Sequence, residues 1–148
     1  MEILEYKIAT EQDLSVLNHL YTDMNYKPLM AGNKILEIWN RIQQVPDYYI
    51  YLTYLENKAI GTFSLLFMPT MMHPGFHKSA VLDSVTILSS YRGKGYGKQM
   101  IQEALRISAE AECYKVTLSS NIQRDRAHNF YKSLGFKQHG WSFSYQFD

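Results

Sequence analysis

One cysteine, Cys113, stands in the whole chain of 148 residues, so no internal disulfide can staple the fold. A chain of this length buries enough surface to hold together without one, and a lone thiol suits a reducing compartment. Net charge is nearly absent: 15 Lys and Arg against 14 Asp and Glu leave a formal +1. That balance gives no reason to expect a nucleic-acid or membrane-surface partner. No apolar run reaches spanning length, and the first residues include Glu2 and Glu5 instead of the pattern of a secretory leader, so a cytoplasmic location is expected. Repeats, low-complexity runs and linkers are also missing, which points to one domain over residues 1–148.

What is present gathers in Val81 to Ala104. Val81, Leu82, Val85, Thr86, Ile87 and Leu88 form an apolar, β-branched run bounded by Ser89 and Ser90, the pattern of a central strand buried on both faces. Tyr91, Arg92, Gly93, Lys94, Gly95, Tyr96, Gly97 and Lys98 follow, and then the period turns helical through Ile101, Ala104, Ser108 and Ala111. The first N–H groups of a helix have no internal partner, and the aligned peptide dipoles put partial positive charge there. Glycines let the preceding backbone curl so that N–H groups converge on one oxyanion, with Arg92, Lys94 and Lys98 adding full charges. A diphosphate suits such a site better than a single carboxylate; the plainer alternative is a solvated basic turn.

The familiar phosphate loops do not fit. A nucleotide-hydrolase loop needs a hydroxyl after its lysine, and Lys98 is followed by Gln99. A dinucleotide fingerprint needs its third glycine one position later and an acid closing the next strand, whereas Tyr114 to Ser120 ends in two serines. Arg92, Gly95 and Gly97 instead make Arg-x-x-Gly-x-Gly, which resembles the acyl-CoA pyrophosphate signature of the GNAT N-acetyltransferase superfamily. Ala127-His128-Asn129-Phe130-Tyr131-Lys132-Ser133-Leu134-Gly135-Phe136 resembles that family's second cofactor motif, Ala-x-x-Phe-Tyr-x-x-x-Gly-Phe. The ordered pair, separated by a helix and a strand, makes the resemblance specific. Within the superfamily the local motifs are most similar to the glucosamine-phosphate-type and related small-molecule acetyltransferases, through Asp83, Cys113-Tyr114-Lys115 and Phe130-Tyr131.

The resemblance implies an α/β (α+β) domain with a mixed central sheet of about six to seven strands and about four helices. It implies acetyl-CoA as co-substrate, no metal, and transfer of acetyl to a primary amine of a small molecule by direct attack in a ternary complex. A protein or peptide amine, or acyl-CoA binding without catalysis, are the alternatives. Cofactor contacts would come from Val85, Thr86 and Ile87, splayed by a bulge, from Arg92 through Lys98 (Gly93, Lys94, Gly95, Tyr96 and Gly97 between them), and from Asn121, Tyr131 and Lys132. Tyr131 would face the cofactor sulfur and protonate it, although at helical spacing it also reads as a core aromatic. Asn121 also reads as a turn residue, and Lys132 as a solvated charge.

Asp83 interrupts the central strand. It is either a structural acid with a buried partner or the base that takes a proton from the acceptor amine, with His73, His77 and Glu56 as substitutes. His73 and His77 have the spacing of a helical metal pair, but Pro74 and Gly75 intervene and no third ligand is near. Cys113 lacks a basic partner in local sequence and reads as a small hydrophobe rather than an acyl carrier.

Elsewhere, Ile3 to Ala9 reads as a first strand, and Thr10 with Asp13 as a capping pair before a helix carrying Leu14, Leu17 and Leu20. Tyr21 to Pro28 ends that helix, and the resemblance makes the following loop, with Tyr21, Met24 and Tyr26, a candidate acceptor wall joined by His73 and His77. A second helix spans about Asn33 to Gln44, and a hairpin turns at Glu56-Asn57-Lys58. Asp125 is expected to cap a short helix that exits at Gly135. Trp141, Phe143, Tyr145 and Phe147 alternate with polar residues, which predicts a half-buried strand whose aromatic face belongs to the core or to a homodimer.

Overall fold

The computed structural model describes residues 2–25 and 32–147. Its elements are β1 (Glu5–Ile8), a 3-10 turn (Glu11–Asp13), α1 (Leu14–Asn25), α2 (Gly32–Gln43), β2 (Tyr48–Leu55), β3 (Lys58–Pro69), β4 (Lys78–Ile87), a second 3-10 turn (Ser89–Tyr91), α3 (Tyr96–Glu110), β5 (Val116–Thr117) and α4 (Asp125–Ser133). The sheet runs β1-β2-β3-β4-β5. The first three pairings are antiparallel, and β5 joins β4 in parallel. The chain forms two compact units, Met1–Thr117 and Leu118–Asp148.

Local chemistry explains most of this order. Thr10 and Asp13 form a capping box that starts the turn leading into α1. Asp13 also accepts from Lys7 at 3.2 Å, which ties that turn to β1. The hairpin between β2 and β3 needs only Glu56 and Asn57, both at positive φ, the geometry of the two-residue turn that matches strand twist. Leu17 and Leu20 of α1, Trp39 of α2, Ile50 and Leu52 of β2 and Leu88 form one buried cluster. α3 buries Met100, Ile101, Ala104 and Ser108. Lys78, at the start of β4, donates to the Ala111 carbonyl at 2.8 Å and so caps the end of α3.

Several expectations need correction. The sheet has five strands among the described residues, not six or seven, because pairing along β5 stops at Thr117 and no later residue joins a ladder. The C-terminal alternation does not form a half-buried strand: Trp141, Phe143, Tyr145 and Phe147 are 79–90% exposed. Alternation specifies which side chains share a face, and Tyr145 and Phe147 do sit ring to ring at 5.3 Å, but a strand also needs a neighbour to pair with. α1 continues through Asn25, so Tyr21 and Met24 belong to a helix instead of a loop. Asp125 is the first residue of α4 and not its cap; Arg124 holds that position without a side-chain bond. Gly135 exits α4 at φ 96, as expected.

Gly61 of β3 is fixed by close approach. A β-carbon there would lie 2.6 Å from Ile87 Cδ1 and 2.9 Å from the Thr86 carbonyl oxygen. Gly61→Ala is therefore expected to destabilise the fold by about 1–3 kcal/mol, the cost of overpacking, with urea denaturation as the measurement.

Candidate active site

β4 carries one extra residue. Thr62 pairs with Thr86 and Ser64 with Asp83, so one residue of β3 faces two of β4, Ser84 and Val85. Ser84 takes φ 51, a left-handed conformation, and its N–H donates to Asp83 Oδ1 at 2.8 Å. The bulge, at Ser84 and Val85, adjoins the segment Val85 to Ile87, near which one is expected.

The insertion reverses which way the backbone faces. Before it, Ala80 N–H donates to the Lys115 carbonyl of the β5 segment at 3.0 Å. After it, Leu88 N–H donates to Ile60 of β3 at 2.8 Å. Strand backbone alternates with period two, so Val85 and Ile87 turn their N–H and C=O groups away from β3. The edge they face is open within the sheet, because β5 pairs with β4 only at Ala80 and Val81. Thr86, by contrast, is paired with Thr62, and the side chains of both Thr86 and Ile87 are buried.

Asp83 is exposed, which corrects the expectation of a strand buried on both faces. The sequence run is apolar, but Asp83 borders the register shift against β3, and an apolar run does not reveal where such a shift falls. Tyr21 of α1 comes near it. Burial raises the Tyr21 hydroxyl pKa, a hydrogen bond with Thr62 opposes the rise, and Tyr48 and Asp83 add to it by charge. An expected acceptor-wall residue thus falls within electrostatic range of the expected base. Met24 is half-buried one turn further along α1, and Tyr26 lies outside the described residues.

The glycine-rich turn follows directly. Gly93 and Gly95 have φ 77 and 88, and Gly95 stands at the N-cap of α3 with no side-chain cap. The N–H groups of Tyr96, Gly97 and Lys98 therefore open α3 without a capping oxygen, and its first turn holds no acid. Lys94 and Lys98 are exposed, Lys94 with its ammonium 5.7 Å from the centre of the Tyr91 ring. The Tyr96 side chain points inward and donates its hydroxyl to Glu2, so only its backbone faces the turn. Arg92 is engaged: Nε donates to the Ile87 carbonyl at 2.8 Å, and Nη2 lies 3.4 Å from Asp23 Oδ2.

Other expected residues fall elsewhere. His73 and His77 are exposed in the β3–β4 connection, the His73 ring 6.3 Å from that of Tyr114, at the end of β4 opposite the glycine turn. The ten residues of β4 put the two ends about 30 Å apart. Cys113 is half-buried, and burial raises its thiol pKa despite the opposing charge of Lys78. In the second unit, Tyr131 packs edge-on between Phe130 and Phe136, with centroids at 5.3 and 5.7 Å. The side chain of Asn121 accepts from Gln123 N–H at 2.9 Å in an Asx turn, and its carbonyl meets His128 at 2.8 Å and Arg124 N–H at 3.0 Å. Lys132 is exposed in the last turn of α4.

Sequence reasoning missed Asp23, which binds Ser89 as well as Arg92. No local pattern could have revealed it, since its partners lie 66 and 69 residues away.

A bulged strand, an uncapped helix and a glycine turn between them form the frame on which acyl-CoA-dependent transferases work, and comparison with known proteins agrees. The chain belongs to the acetyltransferase (GNAT) family, whose sequence model matches residues 14–136. It is similar to glucosamine 6-phosphate N-acetyltransferase of Trypanosoma brucei brucei, 28% identical over 137 residues, covering 92% of this chain and 90% of that protein. Among solved structures it resembles a putative acetyltransferase from Agrobacterium tumefaciens, with TM-score 0.87, 26% identity, and 96% of this chain and 99% of the other covered. An aminoglycoside N-acetyltransferase in complex with CoA shares the fold at TM-score 0.79 and 16% identity, over 99% and 95% of the two chains.

Proposed function

We propose that this enzyme moves acetyl from acetyl-CoA to the primary amine of a small molecule, by direct attack in a ternary complex. The observation that carries the reading is the bulge in β4, which turns the Val85 backbone groups and the Ile87 N–H away from β3 just before an uncapped, glycine-lined helix start, while Arg92 holds the Ile87 carbonyl. Those two features suit the two ends of one ligand: an amide-bearing arm that can pair like a strand, and a diphosphate. Relatives that act on small amines, such as the trypanosomal glucosamine 6-phosphate enzyme, support the acceptor class.

In this reading Gly93 to Lys98 hold the diphosphate, chiefly through N–H groups and the charges of Lys94 and Lys98. The Val85 backbone groups and the Ile87 N–H pair with the pantetheine arm, and a backbone N–H of this edge polarises the thioester carbonyl. Asn121 and Lys132 contribute further cofactor contacts, as the family motifs imply. An alkyl amine has a pKa of about 10, so it must lose a proton before it attacks. Asp83 accepts that proton, directly or through water, and Tyr21 and Met24 line the acceptor side. The amine nitrogen bonds to the acetyl carbon, the carbon–sulfur bond breaks, and Tyr131 gives its hydroxyl proton to the departing thiolate. The nitrogen sheds its second proton to solvent as it becomes a neutral amide, and Asp83 gives up its proton and Tyr131 regains one by exchange with solvent. Burial keeps the Cys113 thiol protonated, which favours direct attack over an acetylated cysteine. The exposed C-terminal aromatic residues suit pairing between two copies of the chain. A sedimentation mass of one chain at micromolar concentration would exclude that pairing.

The direct test is release of free CoA from acetyl-CoA across a panel of amino sugars, polyamines, amino acids and peptides, followed with a thiol-reactive dye. No release with any amine would overturn the reading. Two substitutions should separate binding from chemistry. Gly95→Asp puts a β-carbon and a negative charge at a left-handed position of the turn, and acetyl-CoA binding by calorimetry should fall at least a hundredfold. Tyr131→Phe should leave acetyl-CoA affinity within about twofold while kcat drops about 10²-fold, the usual scale for a lost general acid. An unchanged kcat would remove Tyr131 from the mechanism.

A further inference from the structure

Asp23, in the last turn of α1, reaches across to the residues that open the glycine turn. Its Oδ2 accepts from Ser89 N–H at 3.0 Å, and its Oδ1 accepts from the Ser89 hydroxyl at 2.9 Å. The same carboxylate forms an ion pair with Arg92 at 3.4 Å. Arg92 in turn donates from Nε to the carbonyl of Ile87, the last residue of β4. One carboxylate thus joins α1 to the first turn after β4, and through Arg92 to the end of the strand itself.

This arrangement is unexpected for an anion site, because a negative charge beside the turn opposes the charge of its ligand. Simple electrostatics would leave Arg92 free to meet phosphate. Instead its guanidinium is spent on Asp23 and Ile87, and the exposed cations Lys94 and Lys98 remain. The Ile87 carbonyl lies on the open edge, where the cofactor arm would pair. Occupying it with Arg92 fixes where that edge ends and where the turn begins. On the other side, α1 carries Tyr21 and Met24, the expected acceptor wall, within two residues of Asp23.

We infer that Asp23 is a positioning residue. It locks the start of the phosphate turn to the last turn of α1, so that acetyl-CoA occupancy and the order of the acceptor-side helix are coupled. The inference rests on the acetyltransferase reading above. Its partner set is specific: Ser89 supplies two donors, Arg92 a third, and none of the three contacts lies within a single element. Linkage requires that the effect run both ways, so that ligand on the turn steadies α1 and an ordered α1 raises affinity at the turn.

The test uses the full chain and acetyl-CoA. Calorimetric titration of Asp23→Ala should show acetyl-CoA affinity about tenfold weaker than wild type at unchanged stoichiometry. A folding defect alone would lower the stoichiometry and leave Kd in place. The double variant Asp23→Ala with Arg92→Ala should bind no more weakly than the weaker single variant, because the two side chains act as one device. Hydrogen exchange gives a second readout: acetyl-CoA should slow the backbone amides of residues 21–25 in wild type, and not in Asp23→Ala at saturating ligand. Should Asp23→Ala fail to fold, Ser89→Ala removes one hydroxyl donor at an exposed site and should weaken binding about threefold. Wild type that binds acetyl-CoA, with Asp23→Ala within twofold of it or tighter, would overturn the clamp alone. Wild type that does not bind acetyl-CoA would overturn the enzymatic reading and the clamp with it.

Discussion

A strand in the middle of a sheet ordinarily spends every N–H and C=O group on its two neighbours, and such a strand has nothing left for a ligand. The extra residue at Ser84–Val85 breaks that rule in β4. Before it, backbone groups alternate between β3 and β5 in the ordinary way; after it, the phase is reversed, and β5 has already ended at Thr117. The Val85 backbone groups and the Ile87 N–H are left without a strand partner, a few residues before a helix whose first N–H groups lack a capping oxygen. The left-handed φ at Ser84 costs of order 1 kcal/mol, and the Asp83 side chain offsets part of it by accepting the Ser84 N–H. Strain of this kind persists where the surroundings hold it. Here the β3 ladder on both sides of the bulge does so.

From that point the site follows in chain order. The strand delivers an open edge, the turn delivers convergent N–H groups at Gly93 to Lys98, and α3 contributes its dipole. α3 buries Met100, Ile101 and Ala104 completely, which anchors the helix that the turn leads into. Gly61 leaves room for Ile87, so a residue with no chemistry of its own sets the spacing between the strand and its neighbours. Function on this frame depends less on any one side chain than on where main-chain groups are left unspent.

What could be read from the sequence was local. The glycine spacing, the change of period after Lys98, a hairpin turn at Glu56-Asn57-Lys58 (of which Lys58 already belongs to β3) and the left-handed exit at Gly135 are each decided by residues a few positions apart, and each is found in the structure. Long-range facts were illegible in proportion to their range. The exposure of Asp83 depends on register against β3, and an apolar run on either side conceals it. The alternation of Trp141, Phe143, Tyr145 and Phe147 states what face a strand would have, and is silent on whether a partner strand exists. Tyr21 to Asn25 read as the start of a loop because the aromatic and polar residues there lack an apolar stripe. The helix continues nonetheless, with Asp23 bonded to Ser89 and the Asn25 side chain to the Tyr21 carbonyl. Asp23 itself had no signal at all, since a lone acid in a helix is ordinarily a solvated one.

The placement of that acid beside an anion turn is reconciled by magnitudes. A carboxylate about 8 Å from a phosphate, in surroundings close to water, opposes it by only about 0.5 kcal/mol. Ordering a single backbone residue costs about 1–2 kcal/mol, and of the stretch from Ser89 to Gly95 only Ser89–Tyr91 has regular structure, one 3-10 turn. Two hydrogen bonds to Ser89 that fix even one of those residues before the ligand arrives therefore outweigh the repulsion they bring. The loss of Arg92 as a free cation is similarly small, because a half-exposed guanidinium contributes at most about 1 kcal/mol as an ion-pair partner. An anion site built mainly from backbone N–H groups gains more from being held in shape than from one more charge, and it is on this ground that an acidic residue belongs beside it.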